Sequence, residues 1–183
     1  MAKVFDEIDD RMREWLAAQR MFFVATAPLA GDGLVNLSPK GLESFAVLGP
    51  RRIAYLDLTG SGVETIAHLR ENGRIVVMFC AFEGPPRIVR CYGRGTVTEL
   101  GTPGFDALAA KFPKRAGARA VIQIDLTRIA DSCGYAVPLY RFEGDRTQLD
   151  EWTARKGPEG VSAYRAENNA TSLDGLPGLE GKE

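Results

Sequence analysis

Thr59, Ser61 and Thr65 surround Gly60 and Gly62 in YLDLTGSGVETIAHL (55–69), and hydroxyls and glycines at that spacing can hold an anion. An apolar, β-rich run enters a Gly-rich turn there and continues into a helical pattern. A helix start exposes unpaired amides and a partial positive charge, so this arrangement can cradle a phosphate. The two glycines let a ligand approach the backbone closely. The same residues also fit a plain turn. Ser61 and Glu64 stand three apart, the spacing of a capping box that would start the helix at Ser61. Both readings are open at this level. The segment is neither a P-loop nor a GxGxxG fingerprint.

Cations come from elsewhere in the chain. Lys40 ends NLSPK, and Arg74, Arg87, Arg90 and Arg94 lie on or beside later strand-like runs. An arginine on a phosphate makes bidentate, charge-assisted hydrogen bonds. The single histidine, His68, follows Glu64 by one turn and is expected to pair with it on the helix surface. One histidine without a partner Ser or Cys makes neither a triad nor a zinc site. Glu43, Asp57 and Glu64 have no spacing that identifies a glycosidase pair. No metal site is expected, and no catalytic side chain is identified. An enzyme so poor in acids and bases would take its chemistry from a cofactor.

The elements that must position these groups follow from periodicity. An amphipathic helix is predicted over 9–19, capped by Asp9 or Asp10. Strands are predicted over 21–27, 34–39, 52–58, 74–82, 87–100 and 118–129, with 74–82 expected to be the most buried. The first two read as a hairpin. A helix over 63–72 ends at Asn72-Gly73, which tolerate a left-handed cap. A short helix lies near 103–111, and Gly93 and Gly95 suit a bend or bulge in their strand. Six strands with short links point to a mainly β fold with small helices, an antiparallel six-stranded split β-barrel. After Ala130 the texture changes. Two helices, around TQLDEWTARKG and EGVSAYRAENN, precede a loose tail, SLDGLPGLEGKE. The expected division is a barrel over 1–130 and a C-terminal extension over 131–183 that packs on the barrel or on a partner subunit.

The 183 residues carry 23 Lys and Arg against 24 Asp and Glu, for a formal net charge of -1. That balance supplies no field for nucleic acid or an anionic membrane. No apolar stretch approaches a membrane span, and the charged N-terminus does not read as a signal peptide. Cys80 and Cys91 sit in apolar runs and read as buried free thiols, and Cys133 completes an odd set without CxxC spacing. The expected compartment is the cytoplasm.

NLSPKG, then YLDLTGSG entering a helix, then ENGRIVVMF, then PRIVRCYGRGTV occur in an order that resembles the pyridoxamine 5′-phosphate oxidase-like family of FMN-binding split barrels. The likeness covers roughly residues 10–128. It implies a homodimer with FMN at the subunit interface and an oxidoreductase acting on a small-molecule substrate or reductant. It places Lys40 and Ser61 on the flavin phosphate, with Thr65 helping to hold it. Asn36, Leu37 and Ser38 would border the isoalloxazine ring, and Asp57, Leu58 and Thr59 join the site as the strand end beside the turn. Arg90 falls on a strand that lines the site in relatives. Cys133, Gly134 and Tyr135, in SCGYAVP, could close the substrate side of such an enzyme, with a structural rather than a redox role expected of Cys133. Three features depart from the family pattern. Relatives follow the serine with an Arg-Lys pair, where this chain has Gly62-Val63 or, shifted, Glu64-Thr65. A flavin-contacting glutamine is replaced by Ile88. The C-terminal Arg and His motif of true pyridoxamine phosphate oxidases is missing, so that activity is not expected. The alternative is a non-catalytic protein that binds a flavin, a deazaflavin or haem.

Overall fold

The computed structural model describes residues 3–181. Residues 1–2 and 182–183, the outer ends of the two expected regions, lie outside the described residues. In chain order the elements are β1 (Val4–Phe5), α1 (Asp10–Ala17), β2 (Phe22–Thr26), β3 (Asn36–Lys40), β4 (Phe45–Gly49) and β5 (Arg52–Leu58), followed by α2 (Glu64–Asn72), β6 (Arg74–Cys80), β7 (Ile88–Glu99), α3 (Phe105–Ala109), β8 (Ala118–Ser132) and α4 (Gln148–Asn168). The strands form one antiparallel sheet in the order β3-β2-β6-β7-β8-β5-β4, with β1 added on β8. The sheet therefore has eight strands, not six. β1 is only two residues long, too short to show alternation. β4 lies between Gly41 and Pro50, and those punctuating residues make it read as loop.

The sheet is not closed by hydrogen bonds between β3 and β4. Aromatic packing bridges the gap inside. Phe22 of β2 meets Phe45 of β4 at 5.6 Å and Phe79 of β6 at 5.5 Å between ring centroids, and Phe45 meets Phe79 at 4.8 Å. Such pairs add to the area they remove from water. Asp9 caps α1 by accepting from the Met12 amide at 2.7 Å, which lets Met12 and Leu16 turn into the core. The most buried run is not β6, which alternates, but β5, where Ile53 through Asp57 are all buried. β5 has the barrel core on one face and a smaller cluster with Phe105 and Phe112 on the other. Cys80 and Cys91 are buried free thiols, and burial pushes the Cys91 thiol up to about 12.

Bulges shape the long strands. The β7–β8 register shifts between Tyr92 and Gly93. A Cβ on Gly93 would stand 2.3 Å from the Asp125 carbonyl oxygen and 2.7 Å from an Ile124 methyl. Backbone cannot yield as a flexible side chain does. Gly93→Ala is therefore expected to destabilise the fold by about 1–3 kcal/mol, read from the midpoint of urea unfolding. Gly31→Ala, which meets nothing within 4 Å, serves as the near-neutral control.

The C-terminal region folds back on the barrel. α4 is broken at Gly157, whose φ of 68° and ψ of 171° separate two helical pieces ahead of Pro158, in line with the two expected helices. The expected loose tail is instead a tight turn. Gly178 and Leu179 donate to the Ala170 and Asn169 carbonyls at 2.8 Å, and Leu179 packs on the core. Among the described residues no helix is long and apolar enough to cross a membrane.

Candidate functional site

β3 turns its polar residues inward. Asn36, Ser38 and Lys40 share one face and, with Leu58, Thr65, Arg119 and residues 60–62 and 64, line a cleft of about 320 Å³. The outward face is apolar and exposed, with Leu37 at 64% and Val35, just before the strand, at 75%. A half-buried strand ordinarily does the reverse. The inner groups are tied together. The Asn36 amide donates to Thr65 Oγ1 at 2.9 Å and Thr26 Oγ1 at 3.1 Å, and Ser38 Oγ donates to Asn36 Oδ1 at 2.9 Å.

The loop after β5 is held by its carbonyls. The Gly60 oxygen accepts from Asn169 Nδ2 at 3.0 Å and the Gly62 oxygen from Arg119 Nη2 at 2.9 Å. In a trans peptide the next N–H points the opposite way, so the amides of Ser61 and Val63 face away from those donors. Neither amide, nor the Ser61 hydroxyl, has an acceptor among the described residues. The capping box does not form. Helix α2 starts at Glu64 rather than Ser61, with Val63 before it and no side-chain cap. The Glu64 carboxylate instead accepts from the Leu173 amide of the tail at 3.4 Å. The tail thus takes the role expected of the box and holds that charge.

Beneath the cleft lies a buried charge cluster. Asp57 is fully buried and receives Lys40 Nζ at 3.0 Å on one oxygen and Arg119 Nε at 2.7 Å on the other. Burial alone would raise the Asp57 pKa, but Lys40 and Arg119 outweigh it and hold the carboxyl below its ordinary value. Arg119 reaches Asp57 because of a bulge. Asp57 pairs with Ala120 and Leu58 with Ala118, leaving Arg119 as the extra residue between them. A bulge re-aims a side chain that alternation would assign elsewhere. Arg119 also donates to Asn169 Oδ1 at 2.8 Å, which locks the C-terminal region to the site.

His68 is not on the surface with Glu64. It is fully buried, with Nδ1 3.0 Å from Thr26 Oγ1 and Nε2 3.5 Å from Asp174 Oδ2. The barrel covers one side of α2 and the tail turn covers the other, so even this nominally polar position is enclosed. Thr26 Oγ1 thus contacts both the Asn36 amide and the His68 ring, while His68 Nε2 faces Asp174 without a hydrogen bond. Among the described residues no group of His, Cys, Asp and Glu could hold a metal ion.

Residues 8–133 match the family model for pyridoxamine 5′-phosphate oxidase. The chain belongs to the pyridoxamine 5′-phosphate oxidase family. The family protein ustO of Aspergillus flavus is 42% identical over 194 residues, spanning 96% of this chain and 77% of that protein. Two crystal structures of HupZ from Group A Streptococcus share the fold at TM-scores of 0.52 and 0.51 and 22% identity. They cover 68% and 67% of this chain, and 99% and 91% of their own.

In this pyridoxamine 5′-phosphate oxidase family member, Asn36, Ser38, Lys40, Leu58, Ser61 and Thr65 converge on one cleft. Asp57 lies under it as the partner of Lys40. Thr59 is buried and bonded to the Gly117 carbonyl and to Arg165. Leu37 points outward. Arg90 stands mid-β7 opposite Met78 and Ala130 and donates to Ser132 Oγ, outside the cleft lining. Ile88 pairs with Cys80 and Ser132 at the same end of the sheet. Cys133 is exposed beside a different cleft, lined by Trp15 and Arg87. Arg119 was missed, since it reads as one position of an ordinary strand in ARAVIQIDL. Its one visible sign is a cation set inside an apolar run.

Proposed function

We propose that this family member binds flavin mononucleotide in the cleft between β3 and the start of α2, works as a homodimer, and is an FMN-dependent oxidoreductase. The observation that carries this reading is the loop after β5. Its carbonyls are taken by Asn169 and Arg119, while the amides beside them and the Ser61 hydroxyl lack acceptors. Oriented free amides of this kind suit a phosphate. Lys40 and Arg119 outnumber the buried carboxylate of Asp57, and the Glu64 carboxylate, which also lines the cleft, accepts from the Leu173 amide of the tail. The free amides, the Ser61 hydroxyl and Lys40 form a donor set that fits a phosphate without the Arg-Lys pair usual in relatives, while Arg119 holds the loop from β8.

Bound flavin would supply the hydride and electron chemistry that the side chains lack. The chain's own residues bind and orient. Lys40, Ser61 and the loop amides hold the anionic end, and the Asn36–Ser38–Thr65 network fixes the polar face of β3 beside it. The C-terminal Arg and His motif is absent, so pyridoxamine 5′-phosphate is not the proposed substrate. Mass analysis of the small molecule released from freshly purified protein tests the cofactor. FMN is the expected mass, and release of haem, a deazaflavin or nothing contradicts the reading. Reduction of the bound flavin by NADH or NADPH, followed by reoxidation, separates an enzyme from a carrier.

The inverted β3 supports the homodimer. Leu37 on the edge strand β3, and Leu34 and Val35 just before it, expose 64%, 54% and 75% of their surface. An exposed apolar edge of this kind is ordinarily covered. Leu37→Glu is expected to shift the protein from dimer to monomer in light scattering. A wild-type mass of one chain at all concentrations would contradict the dimer.

A further inference from the structure

Arg119 also borders a second, larger cleft of about 710 Å³, formed where α4 and the tail lean over the ends of β7 and β8. Its charges are unevenly used. Arg119 is spent on Asp57. Arg70 engages Glu99 and Glu180, two acids that also line the cleft. Arg165, from α4, donates Nε to Thr59 Oγ1 and Nη2 to the Ala118 carbonyl, both at 2.8 Å. Those acceptors are neutral, and among the described residues no carboxylate pairs with Arg165. The guanidinium is half-buried, and burial, followed by the nearby Arg119, pulls its pKa down. An anion at this point favours the charged guanidinium and so offsets both effects. The apolar part of the lining includes Pro158, Val161, Leu179 and Leu100, the last 45% exposed although large and hydrophobic.

We infer that this cleft is a binding site for a small monocarboxylate with an apolar body, its carboxylate on Arg165 and its hydrocarbon against Leu100, Pro158 and Leu179. One unneutralised guanidinium matches one negative charge, and the acids Glu99 and Glu180 oppose a dianion. The site is built by the C-terminal region and does not depend on flavin being bound next door.

The test uses the full chain as purified, with 3-phenylpropionate and octanoate as probes and their primary amides as uncharged controls, read by calorimetry and ligand-observed NMR. The acids are expected to bind, and the amides to bind about tenfold or more weakly, the effect of removing one charge-assisted pair. Arg165→Met should bring the acids down to the level of the amides. Ala166→Trp adds bulk from an exposed position of α4 that lines the cleft, leaves the Arg165 bonds in place, and should remove binding of both. Equal binding of acids and amides overturns the inference. So does acid binding that survives Ala166→Trp, or no binding of either acid in the millimolar range.

Discussion

Asp57→Asn is expected to destabilise the protein by about 3–5 kcal/mol, the usual consequence of removing one partner from a buried ion pair. The substitution keeps the shape and removes the charge, leaving Lys40 and Arg119 facing each other without the carboxylate that both contact. The effect has a pH signature. The folded-state pKa of Asp57 is depressed. Its stabilisation is therefore fully present above the unfolded value of about 3.9 and is lost as pH falls through the lower folded value. In urea unfolding, the gap between wild type and Asp57→Asn should be widest near neutral pH and close progressively below about pH 4. A gap that stays constant down to the acid limit of folding would mean that the Asp57 pKa is not depressed in the folded state.

The second large effect falls on the cofactor. Lys40→Met and Ser61→Ala should each weaken FMN retention, Lys40→Met by about 1.5–3 kcal/mol, roughly tenfold to more than a hundredfold in affinity. Ser61 is exposed and has no partner among the described residues, so its alanine variant should leave stability unchanged while affinity falls. Lys40 differs because it also faces Asp57, and Lys40→Met should lower stability as well as affinity. Two variants that differ in stability but share a loss of FMN would separate the phosphate contact from the fold. Unchanged FMN affinity in both would place the phosphate elsewhere.

Much of the fold was legible because alternation and punctuation are local. The β2–β3 hairpin, the long β7 and β8, the Asp9 cap, the Gly73 stop of α2 and the break within α4 all follow from residues close in sequence. What was not legible depends on register and on distant chain. The inverted face of β3 cannot be read from Leu and Asn alternating, since period two does not say which side meets the core. A one-residue bulge hides Arg119, because strand parity assumes an uninterrupted ladder. Ser61 and Glu64 have capping-box spacing, yet the tail, more than 100 residues further on, supplies the Glu64 contact that the spacing assigned to the box. The same tail buries His68. Of the site residues expected from sequence, Asn36, Ser38, Lys40 and Ser61 line one cleft and Leu37 does not, whereas Arg119 and Asn169, which hold the loop, became visible only in the assembled structure.

FMN binding in this cleft requires the loop after β5 to hold the phosphate. Fluorescence titration of the cofactor-free protein with FMN and with riboflavin, which differs by lacking the phosphate, tests this most directly. FMN is expected to bind tighter than riboflavin by about a hundredfold or more, with the difference largely removed by Lys40→Met. Equal affinity for the two flavins, or a preference for riboflavin, would contradict it.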